Sequence, residues 1–213
     1  MSTALLLLIA FNVLMSYKGF SNIGFFERYK FSISALNQKQ YFRLVSSGFL
    51  HVDSAHLVFN MFALYMFGDY VIQNTGVYLF VLIYMFSLLA GNFFTYIIHK
   101  KEPSYSAVGA SGAVSGIVYS SILLFPQMQL VLILFPIPMP GYVFGILYLF
   151  YTLFGIKSRN DNIGHTAHFG GAIAGFAITI IIFPELIYMQ TYLIILMLIP
   201  LIVYLTMKRN NKL

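Results

Sequence analysis

Long apolar runs recur along the chain from its first residues almost to its last. A helix crosses the hydrocarbon core of a bilayer in roughly 20 residues, and backbone in lipid must satisfy its hydrogen bonds within helices or a closed barrel. The runs are long enough for helices. They predict seven membrane spans, at residues 3–17, 52–72, 77–98, 107–125, 139–156, 164–183 and 187–207. The predicted fold class is therefore an all-α polytopic membrane protein.

Composition supports this class and excludes several others. The chain is 60% hydrophobic and only 8% charged, whereas soluble domains carry about 25% charged residues. Because apolar runs continue to the end, the opening "ALLLLIAFNVLM" is interpreted as a first span rather than a cleaved signal. The absence of cysteine excludes disulfides, thiolate nucleophiles and Cys-based metal sites. Lysines and arginines flank the apolar runs, where they contact lipid headgroups, so we expect no nucleic-acid partner.

Two links between the spans carry structural signals. The longest link, residues 18–51, mixes aromatic and charged residues without a spanning run, which predicts an amphipathic segment lying in the membrane interface. Between the fourth and fifth spans lies "FPIPMPG", whose three prolines cannot continue a helix and predict a turn.

Polar side chains gather near the start of three of the predicted spans. His56 and Asn60 are four residues apart and share one helix face, Ser111 lies about a turn into the fourth span, and His168 follows His165 at the start of the sixth. The second, fourth and sixth spans enter the membrane from the same side. We therefore expect these groups at one face of the membrane, shallow enough for water to reach them.

Glycine spacing predicts which helices meet. On the sixth span His168, Gly171 and Gly175 form one stripe, and on the fourth Gly112 and Gly116 do likewise. Small residues at this spacing permit close helix contact, and alone they are typical of packing rather than catalysis. If the two stripes face each other, Ser111 and His168 meet at the top of the contact.

These groups together permit peptide-bond hydrolysis. A serine hydroxyl is a weak nucleophile until a base takes its proton, and His168 is the candidate base. The oxyanion that forms needs hydrogen-bond donors, for which the candidates are the Ser111 backbone amide, the His56 ring and the Asn60 side chain. No carboxylate is obviously placed to orient His168, since Asp161 lies seven residues earlier. The sequence therefore predicts a Ser111–His168 dyad rather than a triad.

The same residues lie in motifs that closely resemble those of the rhomboid family of intramembrane serine proteases. The resemblance runs from about Tyr41 to Phe183. "YFRLVSSGFLHVDSAHLVFNMF" is similar to the family's arginine-bearing loop leading into a histidine and then His-Leu-x-x-Asn. "GASGAVSG" is similar to its Gly-x-Ser-Gly, which begins here at Gly109, and "AHFGGAIAG" to its Ala-His-x-Gly-Gly-x-x-x-Gly. Phe42 replaces the tryptophan of the family's Trp-Arg pair, which affects the expectation for the loop only.

The resemblance implies roles, domains and partners. It makes Ser111 the nucleophile, His168 the general base, and His56 with Asn60 the oxyanion side chains; His51 matches the family's earlier histidine, and Arg43 a loop arginine with a structural role. Residues 1–185 would form a six-helix core, and 186–213 an additional helix and basic tail. Substrates would be membrane-spanning proteins cleaved in or near their spans, with no cofactor or metal. The loop "IKSRNDN" would cap the site, and movement of this cap or of the fifth helix would admit substrate.

Two considerations disagree on orientation. The resemblance implies that the catalytic face lies outward, in the plasma membrane of a prokaryote. With seven spans, however, all 12 lysines and arginines fall on the catalytic side, which the positive-inside rule would make cytoplasmic. The sequence is compatible with both orientations.

The same residues suggest three alternative functions. A zinc hydrolase could use His51, His56, His165 and His168, but His51 and His56 lie on divergent helix faces and no H-E-x-x-H motif is present. We expect His51 and His165 at the rim instead. An inactive rhomboid-like adaptor or chaperone that binds membrane helices would need neither the serine nor the histidine. A transporter is disfavoured because the spans show no repeat and no charge lies near mid-membrane.

Overall fold

The computed structural model describes residues 2–132, 135–158 and 163–210. Its helices are α1 (Thr3–Ser21), α2 (Ile23–Tyr29), α3 (Ile33–Asn37), α4 (Arg43–Ser46), α5 (Ser54–His99), α6 (Ser111–Leu124), α7 (Gly141–Ser158), α8 (His165–Ile182), α9 (Leu186–Met189) and α10 (Thr191–Arg209). A 3₁₀ turn covers Ser47–Phe49. The strands form two antiparallel pairs: β1 (Phe31–Ser32) with β2 (Ser106–Ala107), and β3 (Gln129–Leu132) with β4 (Phe135–Pro140).

Each of the seven predicted spans corresponds to helix in the structure. The second and third are the two arms of α5, which bends at Gly76, where φ is 78°. In the described ranges, five helices are long and apolar enough to cross a membrane: α1, α5, α7, α8 and α10. The all-α polytopic fold class is thereby confirmed. The division at residue 185 stays a prediction.

The fourth span is shorter than predicted. Helix α6 has 14 residues and is about 21 Å long, less than the ~30 Å hydrocarbon core. It begins at Ser111 rather than at residue 107, because Ser106 and Ala107 pair with β1 and Gly109 has a φ of 136°. A short helix is tolerated here because it lies inside the bundle: every residue from Gly112 to Leu123 is buried.

The centre of the molecule is built from α6, α8 and the second arm of α5. Small residues let their backbones approach closely: a Cβ atom at Gly91 would lie 2.6 Å from the Ala167 carbonyl oxygen, and one at Gly170 would lie 3.1 Å from Gly91 Cα. Helices α1, α7 and α10 pack around this centre and leave many apolar side chains exposed, as expected for surfaces that face lipid.

The link before α5 folds as a series of short elements. Helix α1 continues through Lys18 to Ser21, so the first span is longer than predicted; α2, α3 and α4 follow. The Arg43 side chain is buried, and its guanidinium donates to the Glu27 and Lys30 carbonyls at 2.9 and 2.7 Å and to Gln40 Oε1 at 2.9 Å. The hydrogen bonds of Arg43 therefore join the end of α2 to the segment that leads into α5.

The proline-rich segment is a strand rather than the predicted turn. In β4, Pro140 faces Gln129 and Met139 faces Leu130 of β3. Proline is accepted because each strand of a two-stranded pair has one unpaired edge, where a missing N–H leaves no bond unmade. Residues 133 and 134, between the strands, lie outside the described residues.

Candidate active site

Ser111 is the first residue of α6 rather than about a turn into it, which corrects the sequence-based expectation. The preceding Gly109 has a φ of 136°, a region that residues with a Cβ rarely adopt. The sharp turn brings Ser111 to the helix N-terminus. Backbone amides of the first helical turn have no acceptor within their own helix, and they lie at the positive end of the helix dipole. Ser111 therefore stands where a developing negative charge is favoured.

The structure brings Ser111 and His168 together. His168 Nε2 lies 2.6 Å from Ser111 Oγ. With the ring proton on Nδ1, the hydroxyl donates to Nε2, which is the direction that proton abstraction needs. The pairing follows from the glycine stripes, since a Cβ at Gly171 would overlap the Gly112 backbone and one at Gly175 would overlap Gly116.

His56 lies beside Ser111, and Asn60 lies behind His56. A Cβ at Gly109 would be 2.9 Å from His56 Nε2 and 3.5 Å from Ser111 Oγ, so the ring and the hydroxyl border the same glycine. Asn60 is 6% exposed, and its side-chain nitrogen donates to the His56 carbonyl at 2.9 Å. Its described hydrogen bond thus stays within α5 and does not join it to Ser111.

The expectation that His51 and His165 lie at the rim is wrong. They are 0% and 4% exposed. The His51 ring lies between α1 and the start of α6 and packs edge to face on His56, at 4.9 Å between centroids. Burial lowers the pKa of His51 to about 3. His165 packs against Gly155, where a Cβ would overlap the imidazole. A glycine on the neighbouring helix was the signal for this burial.

Two tyrosines of α7 that the sequence reasoning missed belong to the site. The Tyr148 ring stacks on His168 at 6.0 Å and 22° between planes, and its hydroxyl lies 3.0 Å from Ser115 Oγ, one turn below Ser111. Tyr151 packs edge to face on His165 at 5.1 Å. Their three-residue spacing on one helix face was visible, but aromatic residues are too common in this chain for spacing alone to single them out.

Other expected contributors lie elsewhere or outside the described ranges. No three His, Asp or Glu side chains gather as metal ligands in the described part of the chain. Asp161 and most of the predicted cap fall in residues 159–162, which lie outside the described residues.

Helices α1, α7, α10 and the second arm of α5 end at the face where α5, α6 and α8 begin. The described lysines and arginines, which lie at those helix ends and in the link before α5, are therefore still expected at the face that holds Ser111.

The fold and the site define a polytopic membrane protein with a serine and a histidine paired at the adjoining ends of two central helices. Comparison with known proteins gives its family. The Rhomboid domain family model matches residues 38–185. The chain therefore belongs to the rhomboid family.

Individual relatives agree with this assignment. RHOMBOID-like protein 12, mitochondrial, from Arabidopsis thaliana is 31% identical over 176 residues, which cover 75% of this chain and 52% of that protein. Rhomboid protein 1, mitochondrial, from Saccharomyces cerevisiae is 31% identical over 136 residues, 62% of this chain and 39% of that protein. Putative rhomboid protease YdcA from Bacillus subtilis is 28% identical over 142 residues, 66% of each. The chain thus spans about half or less of the first two relatives.

Proposed function

We propose that this rhomboid-family protein is an intramembrane serine endopeptidase that cleaves peptide bonds in or near the spans of membrane proteins. The observation that carries the proposal is the 2.6 Å approach of Ser111 Oγ and His168 Nε2. This distance lies within the hydrogen-bond reach that a nucleophile and its base require. Family membership supports the same reaction type.

The proposed chemistry proceeds in two stages. Ser111 Oγ bonds to the scissile carbonyl carbon while its proton passes to His168 Nε2. The C–N bond then breaks, and His168 returns that proton to the leaving amine. In the second stage His168 takes a proton from water, whose oxygen attacks the acyl carbon. The Ser111 oxygen leaves with the proton, so the enzyme is regenerated.

The proposed oxyanion donors are the Ser111 amide, the His56 ring and the Asn60 side chain. The position of Ser111 at a helix N-terminus and of His56 beside Gly109 supports the first two. The Asn60 amide has a second N–H besides the one given to the His56 carbonyl. For Asn60 the proposal requires that this second hydrogen reach the oxyanion when substrate is bound.

The central test uses purified protein in lipid vesicles with a tagged single-span substrate. We expect Ser111→Ala and His168→Ala each to lower the cleavage rate by at least about 1000-fold. Ser104→Ala, an exposed serine on the same face, should keep the wild-type rate. A wild-type rate in either dyad variant would refute the assignment.

Asn60→Ala separates the oxyanion role from a packing role. We expect kcat to fall roughly 100-fold with little change in KM, because an oxyanion donor acts in the transition state. An unaltered kcat would remove Asn60 from the oxyanion hole and leave it as a support for His56.

The runner-up function is an inactive adaptor or chaperone that binds membrane helices. The same vesicle assay separates the two functions, since an adaptor would bind the substrate and leave it uncleaved whether residue 111 is Ser or Ala. Cleavage that continues in the presence of a strong chelator would also exclude a metal-dependent mechanism.

The chain is an integral multi-pass membrane protein; the prokaryotic plasma membrane and the outward catalytic face stay predictions. Because the chain contains no cysteine, Ser104→Cys gives a single labelling site in the loop between α5 and α6. An impermeant thiol reagent added to intact cells labels it if the catalytic face is outward. Protection until the cells are lysed would support the positive-inside orientation.

A further inference from the structure

Helix α1 lies outside the matched residues 38–185, yet it places one buried hydroxyl at the catalytic end. Ser16 is 0% exposed. Its Oγ lies 2.8 Å from His51 Nδ1 and 3.2 Å from the Phe49 carbonyl oxygen. None of the proposed catalytic roles uses this contact.

The hydrogen bonds around His51 have only one consistent direction. The Ala110 backbone N–H, at 3.4 Å from His51 Nε2, can only donate, so Nε2 must accept. The neutral ring therefore carries its proton on Nδ1 and donates to Ser16 Oγ, whose own hydroxyl donates to the Phe49 carbonyl. Burial, which lowers the His51 pKa to about 3, keeps the ring neutral.

His51 in turn contacts two parts of the candidate site. It accepts from Ala110, the residue before Ser111, and its ring packs edge to face on His56. The Ser47 carbonyl accepts from the Gly109 amide at 3.0 Å. The segment from Ser47 to His51 thus holds the two residues that lead into Ser111.

We propose that Ser16 is a positioning residue that fixes the tautomer of His51, and through it the start of α6 and the ring of His56. This inference rests on the proposed protease function for its kinetic consequence only. Without the Ser16 hydroxyl, the Nδ1–H of His51 becomes a buried donor that has lost its acceptor. Moving the proton to Nε2 would instead leave that nitrogen unable to accept from the Ala110 amide. Either change disturbs the residues beside the reacting carbonyl, so it acts on the transition state more than on substrate binding.

The direct test reads the tautomer of His51 without any substrate. Histidine ¹⁵N spectra of the full chain in detergent or nanodiscs, assigned by comparison with His51→Gln, distinguish a protonated Nδ1 from a protonated Nε2. We expect wild-type His51 to carry its proton on Nδ1 from about pH 5 to pH 8, and Ser16→Ala to shift it toward Nε2. A wild-type ring protonated on Nε2 overturns the inference, whether or not Ser16→Ala folds.

The kinetic test uses the vesicle assay. We expect Ser16→Ala to lower kcat about tenfold with KM nearly unchanged, as for a buried donor left unsatisfied. Ser21→Ala, which removes an exposed hydroxyl from the same helix, should keep the wild-type kcat. In the His51→Gln background, Ser16→Ala should have no further effect.

The outcomes separate the two proposals. An equal loss from Ser16→Ala with and without His51 would mean that Ser16 supports the fold rather than the tautomer. If wild-type protein does not cleave while its His51 carries the proton on Nδ1 and loses it in Ser16→Ala, the protease function fails and the tautomer assignment stands.

Discussion

The two sides of His168 are held in different ways. Toward Ser111, α8 meets α6 through Gly171 and Gly175, which touch the backbone of Gly112 and Gly116. On its other side, α7 reaches His168 through the long Tyr148 side chain. Ten of the 18 residues of α8 are buried, against six of the 18 in α7. Backbone contact leaves no room for adjustment, whereas long side chains can repack. Of these two sides, we therefore expect the dyad side to be the more rigid and the α7 side to oppose movement less.

The sharpest way to break this comparison is to add one methyl group on each side. Gly171→Ala places a Cβ on the Gly112 backbone, which cannot move without carrying Ser111 with it. We expect kcat/KM to fall at least about 100-fold, since a misplacement near 1 Å has that effect. Gly145→Ala on α7 meets only side-chain ends, Met197 Cε at 3.0 Å and Ile122 Cδ1 at 3.1 Å. It should stay within about threefold of wild type.

Both variants are assayed in the same vesicles, with thermal unfolding to confirm that each is folded. Equal losses from Gly171→Ala and Gly145→Ala would show that the two sides are equally rigid. Equal retention would show that the contact between α6 and α8 can yield.

The next largest effect is expected at Tyr148, an α7 side chain that touches the candidate base. Tyr148→Leu removes the ring stacked on His168 and the hydroxyl near Ser115. We expect about a tenfold loss of kcat, because the imidazole loses one of the surfaces that fix its plane. Tyr148→Phe keeps the ring and should lose only about two- to threefold. A loss that follows the hydroxyl instead of the ring would assign the effect to the Ser115 bond.

The third side of the site is the loop before α5. It contains His51, whose burial makes the stability of the protein depend on pH. The pKa of buried His51 is lowered to about 3, below its ordinary 6.5. The unfolded chain therefore binds a proton between these values that the native chain excludes. The contribution of neutral His51 to the free energy of unfolding is fully present above about pH 6.5. It declines as the pH falls toward 3, by at most about 1.4 kcal/mol per pH unit.

Thermal unfolding in detergent at pH 7.5 and 4.5 checks this expectation. The melting temperature of wild type should fall more on acidification than that of His51→Gln, which cannot titrate at this position. Glycine contacts do not titrate, so Gly145→Ala serves as a control with a wild-type pH response. An identical acid response in wild type and His51→Gln would contradict the burial of a neutral ring.

The predictable parts of the fold were those set by a repeating pattern. Apolar runs gave the spans, and glycine spacing gave the partners of α6 and α8, because both depend on residue type at fixed intervals along a helix. Gly76 shows where such a pattern stops: it marks the bend in α5, and only its φ of 78° shows how the two arms join.

The parts that were missed depend on contacts between distant segments. The sequence placed Ser111 about a turn inside its helix, whereas Ser111 begins the helix. The reason is that Ser106 and Ala107 pair with β1, and this pairing joins residues far apart in sequence. His51 was expected at the rim for the same reason, since its hydrogen-bond partner Ser16 lies on α1, 35 residues earlier in the chain. Polar side chains near span ends have no periodicity that reveals such partners.

The smallest expected effect lies on the outer face of α7. Phe154 is 68% exposed, and no described ring contact joins it to His168. We expect Phe154→Ala to leave kcat within about twofold of wild type, since the removed ring contacts neither His168 nor Ser111. If substrate passes along α7, this change raises KM instead, because it removes binding shared by ground state and transition state. Steady-state kinetics over a range of substrate-to-lipid ratios separates the two constants. A fall in kcat alone would mean that the outer face of α7 is coupled to the dyad as tightly as the glycine contact, and the contrast between the two sides of His168 would not hold.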